Sequence, residues 1–261
     1  MIKFIVLIVS LIALCQSCRV IQESANGLQL NRNDYPAHVL IESFTTYNQK
    51  YLCSGALISD QYVLTTAKCV FGAMFANVHV YAHNLRDVYE ASREIYRSSN
   101  ITMKPEYNGF ENINDVALIK LPKMLNLATK PYGAVTLPTA RDNLSDDIIG
   151  KTIGWGLLNF KDDNAAAFKK EEAMKKVSDL ICRTAYPKWT SSATSVGRVC
   201  IQRSNLRTNC VSDEGSPFMI GNKVYGLQSF GQKEACEMGK PNGLQEVKYH
   251  LDWIRTEAGL P

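Results

Sequence analysis

The chain has 261 residues, 46% of them hydrophobic and 21% charged. That length and balance fit one large or two smaller globular domains with a sizeable core, and exclude a repeat or low-complexity protein. The formal net charge of +4 permits contact with acidic surfaces but does not call for nucleic acid.

The first element is the stretch MIKFIVLIVSLIALCQS, with one Lys and an apolar run from Phe4 to Leu14. The run is short for a membrane anchor and reads as a secretory signal peptide over residues 1–17, followed by a short segment, 18–23. Removing it takes away Lys3 and leaves a charge of +3. No second long apolar segment follows, so a secreted, extracellular protein without a membrane partner is expected.

Strand signals dominate the next hundred residues. AHVLIES, SGALIS, YVLTT, NVHVYA and DVALIKL are short, rich in β-branched and aliphatic residues, and separated by polar turns. Such spacing predicts an all-β barrel or sandwich. His79 and His83 are read as strand and loop histidines rather than metal ligands. The stretch NAAAFKKEEAMKKVSDL has high helix propensity, with Asn164 as a cap. At the C-terminus, Val247, Leu251, Trp253 and Ile254 recur at helical spacing, and Gly259 and Pro261 end the predicted helix. Sequons at Asn100 and Asn143 mark surface loops in a secreted chain.

Of the eight cysteines, Cys15 leaves with the signal peptide and Cys18 sits at or beyond the new terminus. The six others read as disulfides, and their number alone leaves the pairing open. A zinc site is the weaker alternative, because no Cys-x-x-Cys or close Cys/His cluster supports it. No cofactor is expected.

Three stretches must be read together: VLTTAKCV ending at Val70, NDVALIKL around Asp115, and CVSDEGSPF from Cys210 to Phe218. In order and context they resemble the signature segments of chymotrypsin-like serine proteases. YPAHV, TLP, GWG, SFG, KPNG and the C-terminal WI fit the same resemblance, which covers nearly all of residues 24–261. It implies two six-stranded antiparallel β-barrels with a cleft between them and a helix packed behind. It implies the pairs Cys53–Cys69, Cys182–Cys200 and Cys210–Cys236. It also replaces the helix over EAMKKV with a barrel strand, and starts a helix near SDLIC.

The departures from the pattern lie at the chemistry. Asp115 matches the buried carboxylate, but Lys68 stands where the family carries its histidine base and Glu214 where it carries its serine. An ammonium flanked by two carboxylates is a poor base, and loss of both base and nucleophile costs on the order of 10⁶ in kcat. The reading therefore expects no enzyme, and a cleft filled by Asp115, Lys68 and Glu214. Ser212 replaces an oxyanion-hole glycine. Ser216 replaces another glycine. Thr208, Asn242 and Phe230 alter the specificity pocket, with Asn242 partly filling it. Asp213 is kept, but the activation position reads SANG after Glu23; cleavage after Arg19 is the shifted alternative. Glycosidase-like use of the Asp115–Glu214 carboxylates, or Ser212 or Ser216 as a displaced nucleophile, are weaker alternatives.

The Lys and Glu substitutions resemble those of the inactivated serine protease paralogues of the scabies mite, relatives of the mite group 3 allergens. That resemblance implies a gut-secreted protein that interferes with host defence proteins, complement components among them. A monomer is expected and, because the cleft is read as filled, binding through exposed surface loops. A decoy for protease inhibitors is the alternative.

Overall fold

The computed structural model describes residues 27–47, 49–130, 132–156, 168–187, 196–203 and 213–261. The signal peptide, Cys15, Cys18, both activation alternatives, Thr208, Cys210 and Ser212 lie outside the described residues.

The chain enters through β1 (Leu28–Gln29) and then builds the first sheet from β2 (His38–Thr45), β3 (Lys50–Leu57), β4 (Tyr62–Thr65), β5 (Ala73–Val80), β6 (Glu94–Ser98), β7 (Ile101–Met103) and β8 (Ala117–Lys120). These are joined in the order β6-β5-β2-β3-β4-β8-β7, and every pair is antiparallel. The expected six strands become seven because the chain bends at exposed Ser99 and Asn100, splitting one strand into β6 and β7. Ser98 Oγ on β6 donates to the Lys120 carbonyl on β8 at 2.5 Å and ties the two ends of the sheet together.

The second sheet uses β9 (Ile149–Gly154), β10 (Lys170–Val177), β11 (Arg198–Gln202), β12 (Pro217–Ile220), β13 (Lys223–Phe230) and β14 (Asn242–Glu246). They follow the order β10-β11-β14-β13-β12-β9, and β9 pairs with β10 to close the ring of six. The short β1 adds to β10 at Leu28↔Glu171. These are the two barrels the sequence resemblance implied.

Strand alternation explains the cores. On β2, Val39 and Ile41 point inward with no exposed surface, and Leu57, Val63, Val78 and Ile119 meet them from neighbouring strands. Met174, Ile201, Phe218 and Leu244 fill the second barrel. Each such side chain contributes about 1.5–3 kcal/mol by leaving water.

The strand β10 shows tertiary context overriding local propensity. Its backbone is held between β9 and β11, and Met174 is needed in the second core. The charged side chains that share the buried positions find partners: Glu172 pairs with Arg203, and Lys176 Nζ lies 2.5 Å from Asp146 Oδ1. Helix forms only after Ser178, whose hydroxyl accepts from Ile181 N and caps an α-helix over Asp179–Ala185. Behind the barrels a 3₁₀ turn over Val247–His250 leads into the C-terminal helix Leu251–Ala258, which Gly259 ends at φ 62°.

Cys53–Cys69 and Cys182–Cys200 are bonded, with Cα atoms 6.0 and 5.5 Å apart. Cys236 is also disulfide-bonded. His79 lies on β5, where its Nε2 is 3.0 Å from Glu42 Oε2, and the His83 carbonyl accepts from the Trp155 indole. Asn100 and Asn143 are both exposed, and Asn143 Oδ1 accepts from Lys248 Nζ. No helix among the described residues is long and apolar enough to cross a membrane.

Candidate active site

After β4 the chain turns into α1 (Ala67–Val70), a single helical turn whose Cys69 is bonded to Cys53 on β3. This crosslink fixes the turn that presents Lys68. The first backbone N–H groups of such a turn have no partner within it. Asp115 meets them: its Oδ1 accepts from Lys68 N at 2.7 Å, while its Oδ2 accepts from Ser229 Oγ at 2.6 Å. Asp115 is fully buried, and burial pushes its pKa up against those hydrogen bonds. It is aimed by a tight backbone in which Asn112 and Asn114 both adopt positive φ, at 51° and 52°.

Glu214 comes from the other barrel, on the turn before β12. Gly215 follows it at φ 77°, and a Cβ there would lie 2.2 Å from the Ser54 carbonyl oxygen, so only glycine fits. Ser54 N donates to the Glu214 carbonyl at 2.8 Å, which locks the turn to β3. Asp213 anchors it from beneath by accepting from Trp155 N at 2.7 Å and Ser54 Oγ at 3.1 Å. Ser216 Oγ accepts from Asp213 N at 2.9 Å. Ser216 therefore braces the turn.

The two substituted positions meet. Lys68 Nζ is 2.7 Å from Glu214 Oε2, and Glu214 also accepts from Thr66 Oγ1 at 3.1 Å and Gln232 Nε2 at 3.3 Å. Burial opposes the Lys68 charge, but Glu214 outweighs it and the ammonium's pKa is raised. Burial pushes Glu214 up to about 7, with Lys68 pulling the other way and Asp115 adding to the rise. Glu214 is therefore a carboxyl that gives and takes a proton near neutrality, beside a charged donor.

Asp115 favours the ammonium, as expected, through its charge, while its hydrogen bonds go to the backbone of α1 and to Ser229. One expectation needs correction: the cleft is not filled. Beside the ion pair lies an open cleft of about 760 Å³, walled by Lys68 and Phe110 from the first barrel and by Glu214, Phe230, Gln232 and Lys233 from the second. Lys68 and Glu214 stay on its wall because each is satisfied by the other.

Phe230 packs edge-on against Tyr186, with ring centroids 5.6 Å apart. It lies over Gly243, where a Cβ would fall 2.1 Å from its ring. Asn242 opens β14, is 1% exposed, and neither atom of its carboxamide has a hydrogen-bond partner among the described residues. Among the described residues, no group of His, Cys, Asp and Glu is placed to hold a metal ion. The sequence reading missed Thr66, Ser229, Gln232 and Phe110. Thr66 stands two residues before Lys68 and Ser229 directly before Phe230, but their partners, Glu214 and Asp115, come from the opposite barrel.

The comparisons agree with this fold. The family model described as Trypsin matches residues 25–254. Brachyurin of Leptuca pugilator is 33% identical over 213 residues, covering 80% of this chain and 89% of that protein. Chymotrypsin of Phaedon cochleariae is 26% identical over 239 residues, 90% of this chain and 82% of that one. A solved structure titled HL collagenase superposes with a TM-score of 0.78 at 24% identity, covering 90% of this chain and 99% of that chain.

These relatives overturn the expectation of no enzyme. The family is one of serine proteases, the relatives bear the names of working enzymes, and nothing among them marks this chain as inactivated. The expectation rested on two side chains and on one route of proton transfer. It gave no weight to an open cleft or to a carboxyl that titrates near neutrality.

Proposed function

The chain belongs to the trypsin family, and from that premise we propose that it acts on protein partners through the cleft between its barrels, as a secreted protein whose partners are host defence proteins such as complement components. One observation carries the reading. The cleft is open at about 760 Å³, and Phe110 stands at its edge with 87% of its surface exposed. A large exposed aromatic beside a concave wall is the kind of anchor on which protein recognition concentrates. Lys68, Glu214 and Lys233 supply charged groups that orient a bound chain. The choice of complement rests on the resemblance of the Lys68 and Glu214 substitutions to the mite paralogues.

The test is surface plasmon resonance of purified complement components over the immobilised protein. Saturable binding that weakens about tenfold in Phe110→Ala and Lys233→Glu is expected. Binding untouched by both substitutions overturns the reading. Fluorogenic peptides run on the same preparations measure whether a bound chain is also cleaved.

A further inference from the structure

Away from the cleft, the outer face of the first barrel carries a second hollow of about 240 Å³. Its base is a row of paired residues, Leu40 on β2, His79 on β5 and Ile95 on β6, and beside it Glu42 pairs with Leu52 on β3. The loop after β5 overhangs it with Leu85 and Val88. Val88 and Ile95 remain exposed at 74% and 57%. His79 is 7% exposed, lines the hollow, and its Nδ1 has no partner.

Size and charge narrow the occupant. The hollow is smaller than the roughly 300–1,000 Å³ of small-molecule sites, so it takes one side chain rather than a whole ligand. Around it, positive charge exceeds negative. The fully buried Glu90 carboxylate answers two guanidiniums, Arg32 at 2.8 Å and Arg93 at 3.7 Å. Glu42 is met by Lys50 at 3.2 Å, and Lys50 is half-exposed. Arg97, exposed in the row next to Ile95, lies 3.6 Å over the Phe75 ring and has no carboxylate partner among the described residues. Arg86 and Asp87 in the loop cancel. Four cations against two carboxylates leave a net charge of +2 around the apolar hollow, and with Arg93 buried against Glu90 its exposed cations are Lys50 and Arg97 and, in part, Arg32.

We propose that this face is a second docking surface, separate from the cleft, for an extended acidic segment of a protein partner. The segment seats one apolar side chain between Leu52, Leu85 and Val88 and sets its acidic residues against Lys50 and Arg97. In an extended chain, residues two apart share a face, so acids flanking the apolar residue at that spacing reach the rim.

The probe is the fluorescein-labelled peptide Glu-Ala-Leu-Ala-Glu, followed by fluorescence anisotropy. It should bind saturably, and both Glu-Ala-Ala-Ala-Glu and Lys-Ala-Leu-Ala-Lys should bind at least tenfold more weakly. The double variant Lys50→Glu/Arg97→Glu and the single variant Val88→Asp, all at exposed positions that leave the core intact, should each lose at least tenfold. Gln232→Ala in the cleft should change nothing, so this surface and the cleft reading fail independently. Absence of saturation overturns the proposal, as does binding that survives the charge reversal. So does binding that ignores Val88→Asp and is displaced by dextran sulfate, which would make the face a site for sulfated polysaccharide. A loss in Gln232→Ala equal to that in the face variants would return the binding to the cleft.

Discussion

Lys68 and Glu214 come from different barrels, and their side chains meet at 2.7 Å across the barrel interface. The pair is asymmetric. Half of the Lys68 side chain is exposed, whereas 16% of the Glu214 side chain is. The carboxylate therefore bears most of the desolvation cost, and its protonation rather than that of the lysine responds to pH.

Glu214 should make stability depend on pH with a definite sign. Burial raises its folded pKa from 4.5 to about 7. Between those values the folded state binds more protons than the unfolded state, so stability falls as pH rises through that window. The loss is on the order of 3 kcal/mol from this group. In Glu214→Gln it should be absent. Urea midpoints of the two proteins at pH 4.5 and pH 8 check it; parallel changes in both would show that Glu214 does not contribute.

Lys169 carries the opposite dependence. It is fully buried, and Nζ donates to the Tyr35 carbonyl at 3.1 Å. Burial lowers its pKa from 10.5 to about 8. The unfolded chain then holds the extra proton between pH 8 and 10.5, and stability rises with pH across that window. Lys169→Met should abolish the rise and stabilise the protein at pH 7 by about 1–3 kcal/mol, because an apolar side chain of similar length avoids burying a charge. Chemical denaturation at pH 7 and pH 9.5 measures both effects.

Gly215→Ala should disrupt the turn that carries Glu214. The left-handed backbone and the 2.2 Å approach to the Ser54 carbonyl leave no room for a methyl group. A loss of more than about 2 kcal/mol is expected, read from the thermal midpoint. Hydrogen exchange should show lost protection at Ser54 N, whose acceptor is the Glu214 carbonyl. Unchanged protection would mean that the turn tolerates a side chain.

Glu90→Gln should destabilise the loop after β5. Its carboxylate meets Arg32 and Arg93, and accepts from His83 N at 3.1 Å and Asn84 N at 3.2 Å. Removing the charge leaves Arg93 buried without its counter-ion, while the partly exposed Arg32 turns to solvent, at a cost of about 1–3 kcal/mol. Denaturant midpoints of the variant and parent decide it. A change under about 1 kcal/mol would show that solvent reaches this loop.

The sequence by itself determined five strands of the first barrel, β2, β3, β4, β5 and β8, and the end of the C-terminal helix. The strands' short runs of β-branched and aliphatic residues sit between polar turns, and that composition is a local property the chain carries into any context. Motif order disclosed the family frame and placed Lys68, Asp115 and Glu214 in one cleft. The tertiary structure alone decided what those side chains do there. Asp115 favours the ammonium by its charge and also holds the backbone of α1, because a helical start leaves N–H groups unpaired, a demand visible only once the two segments are adjacent. Glu214 was brought to a proton affinity near neutrality by burial, and burial is a sum over neighbours such as Thr66 and Gln232 from both barrels. The stretch around Met174 followed the same rule: its residues favour helix in isolation, and two flanking strands with a core position to fill made it β10. Local period is written into consecutive residues, while desolvation and pairing depend on groups that only the closed fold brings within a few ångströms.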